Sequence, residues 1–113
     1  MKIPKEKFEE IVGRKLSELP EEIRNKLENV EFFVEEKAPS PYILGFYHGV
    51  PFPYRKNPGY SFVMPDKIIL FKSTIERNCR TEKELEEKIG KVLLHEIGHY
   101  LGLSEKEIRK LSL

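Results

Sequence analysis

The motif H-E-I-G-H at residues 95–99 constrains this chain more than any other stretch of its sequence. On a helix, residues four positions apart lie on one face, so His95 and His99 can direct their imidazole nitrogens at one point, as two bonds to a zinc ion require. Glu96 is turned away from that line by one residue, which suits a carboxylate that contacts a metal-bound water rather than the metal. The motif therefore predicts a helical zinc site with His95 and His99 as ligands and Glu96 as the catalytic residue.

An accidental match to this motif is rare. The chain has 3 His and 18 Glu among 113 residues, and chance gives H-E-x-x-H on the order of once in a hundred chains of this composition. Requiring Gly102, three residues past the second histidine, lowers that frequency below roughly one in a thousand. The alternative interpretation is a buried helix with two satisfied histidines, but it has to bury the Glu96 carboxylate in an apolar run, which is costly.

Composition limits the class of protein. A chain of 113 residues is long enough for one modest core, so we expect residues 1–113 to form a single domain. The net charge of +1 gives no electrostatic reason to expect binding to nucleic acid or to an anionic membrane. Charged residues make up 35% of the chain and are mostly Lys and Glu, a trend of heat-adapted proteins that suggests a thermostable protein.

The cysteine content and the apolar runs bear on the compartment. Cys79 is the one cysteine of the chain, so no internal disulfide forms and a reducing compartment is expected. Residues 1–7 lack the apolar segment of a secretion signal, and no run approaches the ~20 apolar residues of a membrane span. We therefore expect a soluble cytoplasmic protein.

Hydrophobic spacing predicts helices at both ends of the chain and strands in the middle. The expected elements are a helix over residues 4–19, a second from Pro20, strands over 30–35, 42–48, 60–64 and 67–71, a short helical turn capped by Ser73 or Thr74 that reaches Cys79, a long helix after Thr81 and a last helix after Ser104. Residues 49–54 are expected to be irregular or edge structure and residues 55–59 a turn, because prolines and glycines interrupt both stretches.

The long helix has a predicted start, centre and end. Thr81 and Glu84 have the spacing of a capping box. From Val92 onward the helix is apolar nearly all round, so it is expected to run through the centre of the domain. Gly98 leaves a bare patch on which we expect a strand or loop to pack closely, and Gly102 is expected to end the helix in a left-handed C-cap.

A catalytic zinc site needs three protein ligands and one open position. Many H-E-x-x-H enzymes take the third ligand from a glutamate roughly twenty or more residues downstream, but only 14 residues follow His99 here. A turn at Gly102 can instead bring back Glu105, six residues past His99, and zinc accepts a carboxylate oxygen. The competing role for Glu105 is to stabilise the dipole of the last helix, at the first position after a Ser104 cap.

The third histidine and the tyrosines carry weaker signals. His48 is a candidate for a third ligand or for a donor to the substrate oxyanion, but an exposed strand histidine beside a turn glycine is the favoured interpretation. A tyrosine of the middle third can also stabilise an oxyanion, although packing with a wet hydroxyl is favoured for most of them. The tyrosines concerned are Tyr42, Tyr47, Tyr54 and Tyr60.

The stretch H-E-I-G-H-Y-L-G-L-S-E, residues 95–105, resembles the metzincin pattern H-E-x-x-H-x-x-G-x-x-H, with Glu105 at the third-ligand position. Over the whole chain the resemblance is closer to the small bacterial zincin-like metallopeptidase family, whose tail resembles H-E-I-A-H-H-F-G-I-S-D. Residues 44–51 and 65–71 also look like recurring segments of that family. The chain departs from the family at Glu105, where Asp is usual, and the extra methylene shifts the carboxylate.

The resemblance implies an α+β domain in which a long H-E-x-x-H helix packs on a small, mostly antiparallel sheet, with additional N-terminal helices. It implies Zn²⁺ at His95 and His99, with Glu105 as the candidate third ligand and Glu96 as the general base. The implied activity is zinc-dependent hydrolysis of a peptide or protein substrate.

Two alternatives to a peptidase stay open. One is a non-catalytic binding module that keeps the fold, because a domain this small has little room for a substrate cleft. The other is a metal-dependent ribonuclease. Proteins of that kind resemble H-G-x-x-H-x-x-G-x-D-H, so Glu96 in place of glycine argues against it, as does a net charge near zero.

Overall fold

The computed structural model describes residues 1–55 and 64–111, and within them helices pack on one face of a three-stranded sheet. The helices are α1 (Lys5–Ser17), α2 (Glu21–Arg24), α3 (Lys72–Glu76), α4 (Glu82–Tyr100) and α5 (Glu105–Leu111), the strands are β1 (Val30–Glu35), β2 (Gly45–His48) and β3 (Asp66–Phe71), and a 3₁₀ turn spans Phe52–Tyr54. The predicted α+β class and the long motif-bearing helix are confirmed.

The sheet is mixed, with the strand order β1-β3-β2. β1 pairs in parallel with β3 from Val30 opposite Asp66 onward, whereas β2 pairs antiparallel with β3, with Gly45 opposite Leu70. The parallel β1–β3 pair corrects the expectation of a mostly antiparallel sheet. β3 takes the centre because its run 68–71 is apolar on both faces, as in strands that are flanked on both sides.

The core lies between the inner face of the sheet and the helices α1 and α4. Alternate positions of β1 and β3 and one stripe of each helix supply its side chains, among them Phe8, Ile11, Val12, Val34, Ile68, Leu70, Leu85, Ile89, Leu93 and Ile97. The second half of α4 is buried at most of its positions, from Val92 to Tyr100. The predicted central position of this helix is therefore correct.

Some element boundaries differ from the predicted ones. β2 begins at Gly45, later than expected, because the chain before it is a turn in which Ile43 N–H donates to the Ser40 carbonyl at 3.3 Å. The turn predicted over residues 55–59 and the strand predicted over 60–64 lie, apart from their outermost residues, outside the described part of the chain.

The short helix α3 begins directly after β3, at Lys72, and no side-chain hydrogen bond caps it, so the predicted cap by Ser73 or Thr74 is wrong. A buried ion pair spans the helix instead, with Lys72 Nζ 2.9 Å from a carboxylate oxygen of Glu76. The helix ends at Glu76, before Cys79, which is a buried free thiol in the core.

Both predicted ends of α4 are confirmed. Glu84 N–H donates to the Thr81 hydroxyl at 3.1 Å, which caps the first turn. Gly102 has φ +77°, a left-handed conformation that glycine adopts without strain. In residues 1–55 and 64–111, no helix is long and apolar enough to cross a membrane.

Gly98 is a point of close approach between α4 and α5. A Cβ built on Gly98 would lie 2.5 Å from Cγ1 of Ile108, and Ile108 is fully buried. The expectation that a strand or loop packs on this glycine is corrected, because the neighbour is a helix. α5 is therefore held against α4 by a contact that only glycine permits.

We expect Gly98→Ala to lower the free energy of unfolding by about 1–3 kcal/mol, because the added methyl group overpacks the α4–α5 contact. Chemical denaturation measures this loss. Gly90→Ala is the matched control on the same helix, since its Cβ would meet only the Lys15 side chain, at 3.5 Å. That variant should be neutral or stabilised by up to about 1 kcal/mol. Equal losses in the two variants would contradict the close contact as the cause.

Candidate metal centre

α4 presents the two motif histidines on one face, one turn apart. His95 and His99 direct the same atom, Nε2, toward each other, and the two nitrogens are 3.2 Å apart. Their rings are nearly perpendicular, with centroids 4.8 Å apart. The predicted i and i+4 arrangement therefore brings two imidazole donors to one point.

A tight reversal after α4 returns the chain toward these histidines. Leu103 N–H donates to the Gly98 carbonyl and Gly102 N–H to the His99 carbonyl, both at 3.0 Å. These two bonds are the pattern of a Schellman motif, which ends a helix with glycine in the left-handed region. The carbonyl groups at the end of α4 are thus paired by the turn itself.

The last helix begins with the predicted capping box. Glu107 N–H donates to the Ser104 hydroxyl at 3.2 Å, and Ser104 N–H donates to the Glu107 carboxylate at 3.0 Å. These hydrogen bonds hold the pKa of Glu107 below its usual value. Glu105 becomes the first residue of α5, directly across from the end of α4.

The third candidate ligand lies beside the two histidines. Glu105 Oε1 is 3.4 Å from His95 Nε2 and 3.3 Å from His99 Nε2. Together with the 3.2 Å distance between the nitrogens, these distances form a nearly equilateral triangle. The structure thus groups His95, His99 and Glu105 as residues that can hold a metal ion.

The size and chemistry of this triangle fit zinc. Four ligand atoms at zinc bond lengths of about 2.0–2.1 Å in a tetrahedron are about 3.3–3.4 Å apart. Two imidazole nitrogens and one carboxylate oxygen are donors that zinc accepts, and three protein ligands leave a fourth position open. The side chains of His95, His99 and Glu105 are 40%, 35% and 54% exposed, so that open position is accessible to solvent.

Glu96 has a different environment from the three grouped residues. Its side chain is buried, with 7% exposure, and this burial raises the pKa of the carboxyl group. The nearby Glu105 also raises this pKa by a smaller amount, whereas the His95 side chain lowers it. A carboxylate whose pKa is raised toward neutrality is a better proton acceptor and donor at physiological pH. Glu96 also lines the same cleft as His95 and His99.

That cleft has a volume of about 910 Å³ and lies between α4 and the stretch around β2. Its lining is mostly apolar and aromatic on the β2 side, whereas α4 contributes the polar groups. The lining residues are Tyr42, Ile43, Leu44, Gly45, Phe46, Tyr47, Pro51, Lys88, Lys91, Val92, His95, Glu96 and His99. The expectation that a domain of this size has little room for a substrate cleft is not met.

Gly45 lets β2 approach α4 closely. A Cβ on Gly45 would be 3.0 Å from Val92 Cγ1, 3.1 Å from Glu96 Cγ and 3.2 Å from the Ile69 carbonyl oxygen. A side chain here would push the strand away from Glu96. The glycine therefore helps to position β2 beside the motif.

A buried polar cluster lies behind the cleft, centred on Asp66, which is 2% exposed. Its carboxylate accepts hydrogen bonds from the Tyr47 hydroxyl at 2.6 Å and from Val50 N–H at 3.1 Å. An Arg55 guanidinium nitrogen lies 2.8 Å from the same carboxylate. The Arg55 guanidinium also lies 4.9 Å from the Tyr100 ring centroid, over the ring face.

This cluster connects the loop after β2 to the end of α4. Arg55 also donates to the Val50 and Glu28 carbonyls, so it ties together several segments. Between Val50 and Arg55, Pro53 packs on Gly102, whose built Cβ would be 3.0 Å from Pro53 Cγ. The loop therefore supports the turn that returns Glu105 to the histidines.

The structure separates the weaker candidates from the site. His48 is exposed, stacks on Phe46 with ring centroids 6.3 Å apart, and lies outside the metal-binding group. Tyr42 and Tyr54 are 88% and 58% exposed, so the interpretation as packing residues with a wet hydroxyl is wrong for these two. Tyr60 lies outside the described residues.

Tyr47 alone among the described tyrosines both lines the cleft and has a hydroxyl paired with a buried acid. Burial and the Asp66 partner raise its pKa, so the hydroxyl stays protonated. The Tyr47 hydroxyl donates its hydrogen bond to Asp66, so we regard Tyr47 as a structural residue of the cleft wall and not as a donor to a substrate oxyanion. The sequence-based interpretation missed Asp66 and Arg55, although Asp66 is the one Asp of the chain.

Comparison with known families gives one finding. A family model described as zincin-like metallopeptidase matches residues 27–113, which include the sheet, α4 and the candidate metal ligands. No curated protein sequence matches the chain.

We expect wild-type protein to hold one zinc ion per chain, as measured by mass spectrometry of the native protein. His99→Ala should lose the metal. Glu105→Ala should weaken zinc affinity by on the order of tenfold to a hundredfold or more, since loss of an outer-shell partner alone costs that much. Glu105→Gln keeps the shape and removes the charge, so it should also bind weakly. Unchanged affinity in both Glu105 variants would remove this residue from the site.

We expect Asp66→Asn to destabilise the protein by about 3–5 kcal/mol, because it removes the charge of one partner of a buried ion pair. Thermal and chemical denaturation measure the loss. The control is Lys7→Ala, which removes an exposed ion pair to Glu82 of 2.9 Å, and it should cost at most about 1 kcal/mol. An Asp66→Asn loss no larger than the Lys7→Ala loss would show that the buried pair is not needed.

Proposed function

The chain belongs to the zincin-like metallopeptidase family, and we propose that it is a zinc-dependent peptidase with His95, His99 and Glu105 as metal ligands and Glu96 as general base. One observation carries the proposal. Three donor atoms lie 3.2–3.4 Å from one another, beside a cleft that Glu96 also lines. Family membership alone supports the reaction class, and the donor geometry supports the assignment of roles.

Zinc held by His95, His99 and Glu105 would act as a Lewis acid, which would polarise the scissile carbonyl and lower the pKa of water toward about 7. In the proposed reaction Glu96 accepts a proton from the attacking water and returns it to the leaving amine. Its buried position suits both steps, because burial raises the carboxyl pKa.

β2 offers a binding edge for an extended peptide. It is the last strand in the order β1-β3-β2, so one of its edges has no strand partner among residues 1–55 and 64–111. The Leu44 carbonyl accepts from Phe71 N–H at 3.0 Å, and the alternation of an antiparallel pair then directs the N–H and C=O of Gly45 and Tyr47 away from β3. These groups can pair with the main chain of a substrate, as in other β-augmentation complexes.

Two other functions remain testable. A non-catalytic binding module would use the same cleft without hydrolysis, and a ribonuclease would cut RNA with the same metal. The presence of Glu96 beside the donors and the mostly apolar lining of the cleft favour peptide hydrolysis. A reducing compartment such as the cytoplasm suits a chain whose one cysteine is a buried free thiol.

The test is Glu96→Gln, compared with wild type on a mixed peptide library with added zinc. We expect the variant to retain zinc and to lose hydrolysis by at least about a hundredfold, the lower end of what general acid–base catalysis contributes. Glu87→Gln is the matched control, an exposed glutamate of α4 outside the cleft lining, and it should cut peptides at the wild-type rate.

The same assay separates the alternatives. Chelator-sensitive cleavage of structured RNA without peptide cleavage would identify a ribonuclease. Peptide cleavage that persists in Glu96→Gln would contradict the base assignment. A zinc-loaded wild type that cuts neither substrate would favour the binding module.

A further inference from the structure

The face of α4 that carries the motif histidines continues toward the start of the helix as a basic surface. Lys88, Lys91 and Val92 line the cleft together with His95 and His99, because positions three or four residues apart share a helix face. Lys91 is exposed and Lys88 is half-buried. Apart from Glu96, no acidic residue of the described chain lines the cleft. The end of the cleft that is lined by Lys88 and Lys91 is therefore positively charged.

In the described part of the chain, no carboxylate lies within ion-pair distance of the two ammonium groups. Neither lysine forms an ion pair among the described residues. Glu84, one turn before Lys88, instead accepts from Arg80 N–H at 2.9 Å. Lys88 Nζ donates to the Arg77 carbonyl at 3.1 Å, which fixes its position and leaves two of its three hydrogen-bond donors.

The direction of β2 determines which end of a substrate meets these lysines. Gly45 lies against Val92 and Glu96, whereas Tyr47 lies against Tyr100 with ring centroids 6.0 Å apart. β2 therefore runs in the same direction as α4. A peptide paired antiparallel to β2, the commoner pairing, runs the opposite way, and its carboxyl-terminal part extends over Val92 toward the lysines.

The distances of Lys88 and Lys91 along α4 can be converted into residue positions of a bound substrate, counted from the scissile bond. A metal held by both His95 and His99 would lie about midway between them along the helix axis. With a rise of about 1.5 Å per residue, Lys91 lies about 9 Å and Lys88 about 13 Å before that level. An extended peptide advances about 3.3 Å per residue, so the two lysines face about the third and fourth residues after the bond that is cut near the metal.

We propose that Lys88 and Lys91 are specificity-determining residues that select peptides with a carboxylate at the third or fourth position after the scissile bond. This inference rests on the proposed peptidase function. The carboxylate can belong to an Asp or Glu side chain or to the end of the peptide.

The experiment uses matched peptides that differ at one position. Once the library has located a cut site, peptides carrying Glu, Gln or Lys at the third or fourth position after it are compared, each with a free or an amidated carboxyl end. Cleavage by wild type is measured together with binding to the zinc-loaded Glu96→Gln protein by fluorescence anisotropy. If no peptide of the library is cut, the same Glu, Gln and Lys series is built on a generic extended peptide and measured by binding alone.

We expect Glu to be preferred over Gln by on the order of fivefold to tenfold, since two exposed charge pairs each contribute modestly. The preference should shrink as salt is raised from about 0.05 M to 0.5 M, because added ions screen exposed charges. Lys88→Gln/Lys91→Gln should abolish it and Lys88→Glu/Lys91→Glu should reverse it toward Lys. Lys83→Glu makes the same charge change on an exposed residue of α4 outside the cleft and should preserve the wild-type preference.

The outcomes separate this inference from the peptidase proposal. Cleavage without a charge preference overturns the lysine assignment and leaves the peptidase intact. Absence of cleavage with selective, lysine-dependent binding of the acidic peptide overturns the peptidase and supports the acidic-ligand cleft. Absence of both cleavage and selective binding overturns both. A preference that needs a free carboxyl end identifies the terminal carboxylate as the group selected, and one that survives amidation identifies the side chain.

Discussion

The candidate metal centre depends on the reversal of the chain at Gly102. α4 supplies two imidazoles by its own periodicity, but the third donor comes from the next helix and must be turned back across its end. The left-handed glycine and its two backbone hydrogen bonds make that turn short. Ile108 on the bare patch at Gly98 then fixes the angle between the helices, so Glu105 faces the histidines instead of solvent alone.

A second set of contacts supports this reversal from outside. The loop after β2 carries Pro53 against Gly102, and the same loop is anchored by the hydrogen bond of Val50 and the ion pair of Arg55 with Asp66. Because Asp66 begins the central strand, the sheet and the metal centre are mechanically connected. A buried ion pair is a weak source of net stability, but here it specifies where one loop lies. Its structural value is therefore in positioning.

The extent to which the sequence predicted this arrangement depends on how local each signal is. The helix bearing His95 and His99, its Thr81 cap and its glycine end are encoded within a few residues of one another, and all three were predicted correctly. The parallel β1–β3 pairing joins strands far apart in the chain, and no local pattern specifies it. The cluster around Asp66 was missed for the same reason, since Pro65-Asp66 has the composition of a turn and its partners come from distant segments.

The cleft is another feature that the sequence did not predict. Chain length predicts little room for a substrate, yet one glycine in β2 lets an edge strand lie against Glu96, and the space between that strand and α4 becomes the cleft. The three donor side chains are 35–54% exposed, so side-chain packing alone does not hold them at tetrahedral spacing. Backbone elements do so: a buried helix, a glycine turn and a capped second helix. Metal affinity in such a site should therefore respond to packing at Gly98 and Pro53, which contact no ligand atom, because preorganised donors lose less conformational freedom on binding.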